Sequence, residues 1–243
     1  MVEKINILNI PISNIRKEKF LHKIEEHFKD STGNLFIVTA NPEIIMLTKE
    51  SKDYQAAVLN ADYVLPDGIG VIIASKLLKQ PLEEKIPGYE LLHDLLAYAR
   101  AAEKRVYFYG AKPGIAGKAA EKAFSQYPGL QMAGTMDGYS SKGQEAADKI
   151  AATNPDFIFV AMGAPLQEQW IATYRAQFPN AVLVGVGGSF DVLSGTLKRA
   201  PKFWTNNNLE WLYRLITQPT RAKRMMKIPV FLVEVLKTRA RKK

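Results

Sequence analysis

Leu35-Phe36-Ile37-Val38-Thr39-Ala40-Asn41-Pro42-Glu43 runs four apolar residues into a short polar turn and then a proline at the head of a helical pattern. A continuous apolar run bounded by turn residues suits a strand buried on both faces, as in a parallel sheet covered by helices. The same pattern recurs along the chain. Tyr63-Val64-Leu65 leads into Pro66-Asp67-Gly68, Val106-Tyr107-Phe108-Tyr109 into Gly110-Ala111, Phe157-Ile158-Phe159-Val160 into Gly163-Ala164, and Ala181-Val182-Leu183-Val184 into Gly185-Val186-Gly187-Gly188. Helical patterns follow these turns at 42–51, 69–79, 113–126 and 165–178. The alternation predicts an α/β fold, a Rossmann-like core with a mostly parallel sheet. Residues 5–15, interrupted by Pro11, read as a small N-terminal β-hairpin at an edge, and 17–29 and 89–103 as further helices. In an open α/β sheet ligands bind beyond the carboxyl ends of the strands. The polar turns are therefore where chemistry is expected.

A length of 243 residues suits one α/β domain with a full core. With 47% hydrophobic and 23% charged residues, neither disorder nor a polytopic membrane protein is supported. No run of about twenty apolar residues is present. The opening segment has no signal-peptide pattern, and the absence of Cys fits a reducing cytoplasm. The net charge of +9 is unevenly placed: residues 198–243 hold thirteen Lys/Arg and two Glu, net +11, leaving −2 for residues 1–197. A general nucleic-acid surface is not expected from such a distribution, and the tail needs its own explanation. A division near Arg199-Ala200-Pro201 separates a core, 1–197, from a basic helical appendage, 198–243. On a helical wheel, Lys223, Lys227, Glu234, Lys237 and Arg241 share one side, with Met225, Ile228, Leu232, Val235 and Leu236 opposite. That is an interfacial pattern suited to an anionic membrane surface, with docking on the protein's own core as the alternative. Pro229 is expected to kink or interrupt the helix, and Arg221 falls toward the apolar side.

Each turn carries a functional and a plain structural interpretation. Asn41 is placed either to meet a ligand or to cap a helix with Pro42 at its first position. Asp67, between Pro66 and Gly68, is either a general base toward a sugar hydroxyl or a turn and cap residue. Gly110-Ala-Lys-Pro-Gly114 fits neither the dinucleotide nor the P-loop template, and leaves a turn suited to one phosphate or a nucleotide ring. Gln167 has donors and acceptors for a uracil edge or sugar hydroxyls, while Gly187, Gly188 and Asp191 end the next strand. Gln167 also falls in a first helical turn, and Asp191 reads equally as a cap. The chain has no D-x-D pair, and His22, His27 and His93 fall in helical stretches, expected at the surface, so no metal site is expected.

T-x-N-x-E at 39–43, P-D-G-x-G at 66–70, G-x-P-x-Q-E at 163–168, G-V-G-G-x-F-D at 185–191 with R-A-P at 199–201, and L-E-W-L-Y-R-L at 209–215 come in fixed order. Together they resemble the bacterial N-acetylmannosaminyltransferases of the TagA/WecG/CpsF group, over about residues 5 to 230. The resemblance implies an inverting, metal-independent transfer from a UDP-sugar, typically UDP-N-acetylmannosamine, to undecaprenyl-diphosphate-N-acetylglucosamine, with no cofactor. It implies Asp67 as base with Thr39 beside it, Gln167 near the UDP-sugar, and Arg214, Arg221 and Arg224 in support of catalysis. Asn41, Gly68, Gly110, Gly187, Gly188 and Asp191 complete the expected substrate-binding set. Leu166 departs from the family, where many members carry Lys, and Asn208 replaces a frequent Gly. The expected setting is the cytoplasmic face of the plasma membrane, as a peripheral protein, with self-association left open. Other UDP-sugars, such as an N-acetylmannosaminuronate or glucose, are the alternative within the fold. A nicotinamide oxidoreductase lacks its fingerprint, and a basic non-catalytic adaptor rests on the tail alone.

Overall fold

The apolar runs are continuous because both faces of the sheet are covered, so alternate residues along each strand enter opposite halves of the core. The computed structural model describes residues 2–30, 33–217 and 227–241. Within them β3 (Leu35–Ala40), β4 (Tyr63–Pro66), β5 (Arg105–Gly110), β6 (Gln131–Met136), β7 (Phe157–Ala161) and β8 (Val182–Gly185) form one sheet. Its order is β4-β3-β8-β7-β5-β6, with every pairing parallel. β1 (Lys4–Ile7) and β2 (Ile10–Ser13) make a separate antiparallel hairpin. It lies against edge strand β4, where the Ser13 hydroxyl accepts from the Val64 amide at 3.2 Å.

The helices are α1 (Lys17–Asp30), α2 (Pro42–Glu50), α3 (Lys52–Leu59), α4 (Ile69–Leu77), α5 (Gly88–Ala101) and α6 (Ile115–Gln126), followed by α7 (Gly143–Ala151), α8 (Leu166–Tyr174), α9 (Ser189–Leu193), α10 (Lys202–Asn206), α11 (Glu210–Thr217) and α12 (Lys227–Arg241). On one face, Phe36, Val38, Ile158 and Val160 pack with α2, α3, α4, α7, α8 and α12. On the other, Ile37, Phe157, Phe159 and Val184 pack with α1, α5, α6 and α9.

Four elements were not expected. Ser51 ends α2 and at once caps α3, its hydroxyl accepting from the Tyr54 amide at 3.2 Å, so one expected helix is followed by a second. β6 is a half-exposed edge strand, Gln-Met-Ala-Gly-Thr-Met, without an apolar run, and α7 follows it. The expected helix 165–178 ends at Tyr174 and tightens into a 3₁₀ turn, Arg175–Gln177.

The C-terminal helix corrects two expectations. Phe231 and Val235 of α12 are fully buried in the main core, packed with α2 and α4, so Val235 does not face lipid. Lys227 pairs with Glu50 at 2.8 Å and Glu234 with Lys49, so part of the charged side is turned to α2. Val230, Val233 and Leu236 are the exposed apolar residues of this helix. Pro229 sits in the first turn of α12, where a residue needs no amide hydrogen for the helical ladder; the residues before Lys227, where the expected interruption would show, lie outside the described residues. Lys223 and Met225 lie outside the described residues.

Candidate active site

The carboxyl ends of β3, β4, β7 and β8 surround a cavity of about 210 Å³. Strand register builds it. Thr39 and Ala40 of β3 stand opposite Leu65 and Pro66 of β4, so Asn41 and Asp67 emerge side by side, and the Asp67 amide donates to the Ala40 carbonyl at 2.9 Å. On the far flank Val160 of β7 stands opposite Gly185 of β8, which brings the Gly163–Gln167 turn against Gly187. Thr39, Asn41, Asp67, Gln167, Gly187 and Gly188 all line the cavity.

A second cleft of about 310 Å³ shares Asn41, Glu43, Asp67, Pro87 and Glu210 with the first. Its own walls come from α4 and the C-terminal helices: Gly68, Ile69, Ile73, Trp211, Ile228 and Leu232, with Lys85 at one side. Asp67 thus stands where a polar chamber meets a largely apolar one. The N-cap of α4 is Gly68, at φ 84°, a conformation that only glycine adopts without strain, and it has no side chain to cap the helix. Asp67 therefore precedes the cap position and does not occupy it. Asn41 caps α2, its side-chain oxygen accepting from the Ile44 amide at 3.0 Å, and the residue also lines both chambers.

Gln167 is buried, and its amide ties the two flanking turns together. Its Oε1 accepts from the Gly163 amide at 3.1 Å and the Gly187 amide at 3.0 Å, and its Nε2 donates to Glu168 Oε1 at 2.6 Å. The other Glu168 oxygen accepts from the Tyr54 hydroxyl at 3.1 Å. Burial pushes the Glu168 carboxyl up to about 7, against the pull of its hydrogen bonds. The Tyr54 hydroxyl is pushed up as well, by burial first and by Glu168 second. At the rim, Arg199 pairs with Glu90 and lies 4.6 Å from the Tyr89 ring centroid, and both partners line the polar chamber.

Residues 5–243 match the family described as Glycosyl transferase WecG/TagA/CpsF family. The chain belongs to this glycosyltransferase family. A Bacillus spizizenii protein named N-acetylglucosaminyldiphosphoundecaprenol N-acetyl-beta-D-mannosaminyltransferase is 48% identical over 218 residues, covering 90% of this chain and 85% of that one. A Bacillus subtilis protein of the same name is 43% identical over 237 residues, with 98% and 93% covered. A Staphylococcus aureus protein of that name is 38% identical over 238 residues, with 97% and 93% covered.

The glycosyltransferase does not gather every expected site residue in its cavity. Gly110 ends β5, which lies beyond β7 in the sheet, and packs against Ala161, where a Cβ would come within 2.7 Å of backbone. Asp191 belongs to α9 and is absent from both linings; its carbonyl accepts from the Leu197 amide at 2.8 Å and so closes the turn after the helix. Arg214 lies on α11, whereas Arg221 and Arg224 lie outside the described residues. His27 is buried and His93 half-buried, its Nδ1 2.7 Å from the Tyr127 hydroxyl, so neither is a surface residue; burial lowers the pKa of both. Among the described residues no group of three or more His, Cys, Asp or Glu is placed to hold a metal ion.

Other residues that line the two chambers were not singled out from the sequence. Glu43 and Glu210 stand inside the quoted T-x-N-x-E and L-E-W motifs, which was their available signal. Lys85 lies in an unpatterned loop and is oriented by a hydrogen bond to Asn208. Nothing in the local sequence marks it.

Proposed function

We propose that the protein transfers N-acetylmannosamine from UDP-N-acetylmannosamine to N-acetylglucosaminyldiphosphoundecaprenol, with inversion, in the synthesis of a teichoic acid-type wall polymer. The carrying observation is the position of Asp67 at the junction of a polar chamber over the strand ends and an apolar cleft. The relatives' shared name supports the choice of sugar and of polyprenyl acceptor. In this reading the polar chamber takes the UDP-sugar, and the N-termini of α2 and α8 face its diphosphate. The apolar cleft takes the first isoprene units of the acceptor, with Lys85 near the lipid diphosphate. Asp67 accepts the proton of the acceptor hydroxyl as that oxygen attacks the anomeric carbon, and the bond to UDP breaks with its electron pair leaving on the nucleotide. Arg214, Arg221 and Arg224 then meet the charge that develops on the departing diphosphate.

The reaction is placed at the cytoplasmic membrane face, where a polyprenyl acceptor presents its sugar. Among the described residues no helix is long and apolar enough to cross a membrane. The outward residues of α12, Val230, Val233 and Leu236, together with Phe203 and Ile216, offer an interfacial surface. The deciding assay incubates the enzyme with lipid-linked N-acetylglucosamine and a panel of UDP-sugars in excess EDTA. Turnover with UDP-N-acetylmannosamine is expected. Preference for another UDP-sugar refutes the choice of sugar, and activity that returns only with Mg²⁺ or Mn²⁺ refutes metal independence.

A further inference from the structure

We propose that Glu168 is a positioning residue of the transfer reaction, acting through Gln167 to hold the two glycine turns at the floor of the polar chamber; this rests on that chamber being the UDP-sugar site. The two ends of a glutamine amide have nearly the same shape and opposite hydrogen-bonding character. In the observed orientation the carbonyl end meets two backbone donors, Gly163 at 3.1 Å and Gly187 at 3.0 Å. Turned over, the NH₂ group would face those same two N–H groups, donor against donor, and remove the acceptor that both now share. What selects the orientation is the acceptor on the other side, Glu168 Oε1, at 2.6 Å from Gln167 Nε2.

Glu168 is itself fixed. It is 1% exposed, and the Tyr54 hydroxyl of α3 holds its second oxygen at 3.1 Å. Gly185 completes the fit, because a Cβ there would come within 2.7 Å of Gln167 Nε2. A chain of hydrogen bonds therefore runs from α3, through the first turn of α8, to the turns after β7 and β8. Burial raises the carboxyl to about 7, a cost that an apolar residue at this position would avoid. Ionised or protonated, the oxygen facing Gln167 accepts, since the proton has a place on the oxygen facing Tyr54, whose hydroxyl can turn to receive it.

The test compares Glu168→Met, Glu168→Gln, Gln167→Leu and the Glu168→Met/Gln167→Leu double variant. Readouts are the KM for UDP-N-acetylmannosamine, kcat, and hydrogen exchange at the Gly163 and Gly187 amides without ligand. Losing the acceptor should raise KM about tenfold in Glu168→Met, with a smaller change in kcat and faster exchange at both glycines. Glu168→Gln, which still offers an oxygen to Gln167, should stay within about twofold of wild type. Because Glu168 acts through Gln167, Glu168→Met should add little to Gln167→Leu. Unchanged KM and exchange in a folded Glu168→Met, or additive effects in the double variant, overturn the proposal. Should Glu168→Met fail to fold, Tyr54→Phe carries the test, with faster exchange at both glycines expected and unchanged exchange overturning it. The exchange measurement needs no substrate. A protein that lost glycine protection on substitution but bound no UDP-sugar would overturn the assignment of the chamber and leave the Gln167 clamp standing.

Discussion

Asp67→Asn keeps the shape of the junction between the two chambers and removes the proposed base. A placed general base contributes about 10²–10⁴-fold, so transfer should fall by that factor while the unfolding midpoint stays near wild type. Near-normal turnover in the purified variant would show that another group takes the proton. Glu168 makes a separate prediction about stability. Its carboxyl is raised above the ordinary 4.5 to about 7, so its contribution is fully present below pH 4.5 and is lost as pH rises through 7. Urea midpoints should therefore fall between pH 5 and pH 8 in the wild type, and less steeply in Glu168→Gln. Equal slopes in the two proteins would remove Glu168 as the cause. At this scale the sequence was partly legible. Thr39, Asn41, Asp67 and Gln167 end or follow apolar runs and all reach the cavity. Gly110 has the same local signal and does not, because its strand β5 lies beyond β7; Asp191 follows β8, which does border the cavity, but sits within α9 and is absent from the lining.

Helix α12 shows how an amphipathic pattern can satisfy two surfaces. Its wheel separates charged from apolar residues, but only the neighbouring elements decide which apolar residues are buried. Phe231 and Val235 fill the core, and Val230, Val233 and Leu236 face outward. Phe231→Ala should cost about 3–5 kcal/mol, the range for deleting a buried aromatic ring, and should reduce transfer by loosening the helix that carries Ile228 and Leu232 into the apolar cleft. By contrast Glu50→Ala, which breaks the pair with Lys227, should change stability by at most about 1 kcal/mol, because the carboxylate is solvated. Denaturant titrations of the two variants check the contrast. Comparable losses would mean that ion pairs, not the apolar face, hold the helix. β6 went unread for a related reason. As a half-exposed edge strand it needs no apolar run, and Gly134 within it makes room for the Tyr107 ring.

Across the whole molecule, the charge is partitioned: residues 198–243 carry net +11 in a chain of net +9. An anionic bilayer would attract that segment at roughly 1 kcal/mol per basic residue near its surface, with the attraction screened by salt. Replacing Val230, Val233 and Leu236 by Ser should weaken sedimentation with vesicles of phosphatidylglycerol and phosphatidylcholine while leaving the fold intact, since all three are exposed. Raising the salt concentration should weaken it further. Undiminished pelleting of the triple variant would place the lipid contact elsewhere.

The alternation of buried strands with helical patterns determined the α/β class and the sheet edge that bears the site, because a strand covered on both faces must be apolar throughout and its turn must be polar. The five ordered motifs determined the family. Only the tertiary structure decided which turns meet. The order β4-β3-β8-β7-β5-β6 sets the turns of β3, β4, β7 and β8 around one cavity and leaves that of β5 outside it. It also decided that Gln167 ties two turns together and that α12 belongs to the core. Those facts depend on lateral strand order and on contacts between residues far apart in the chain, which local periodicity does not encode.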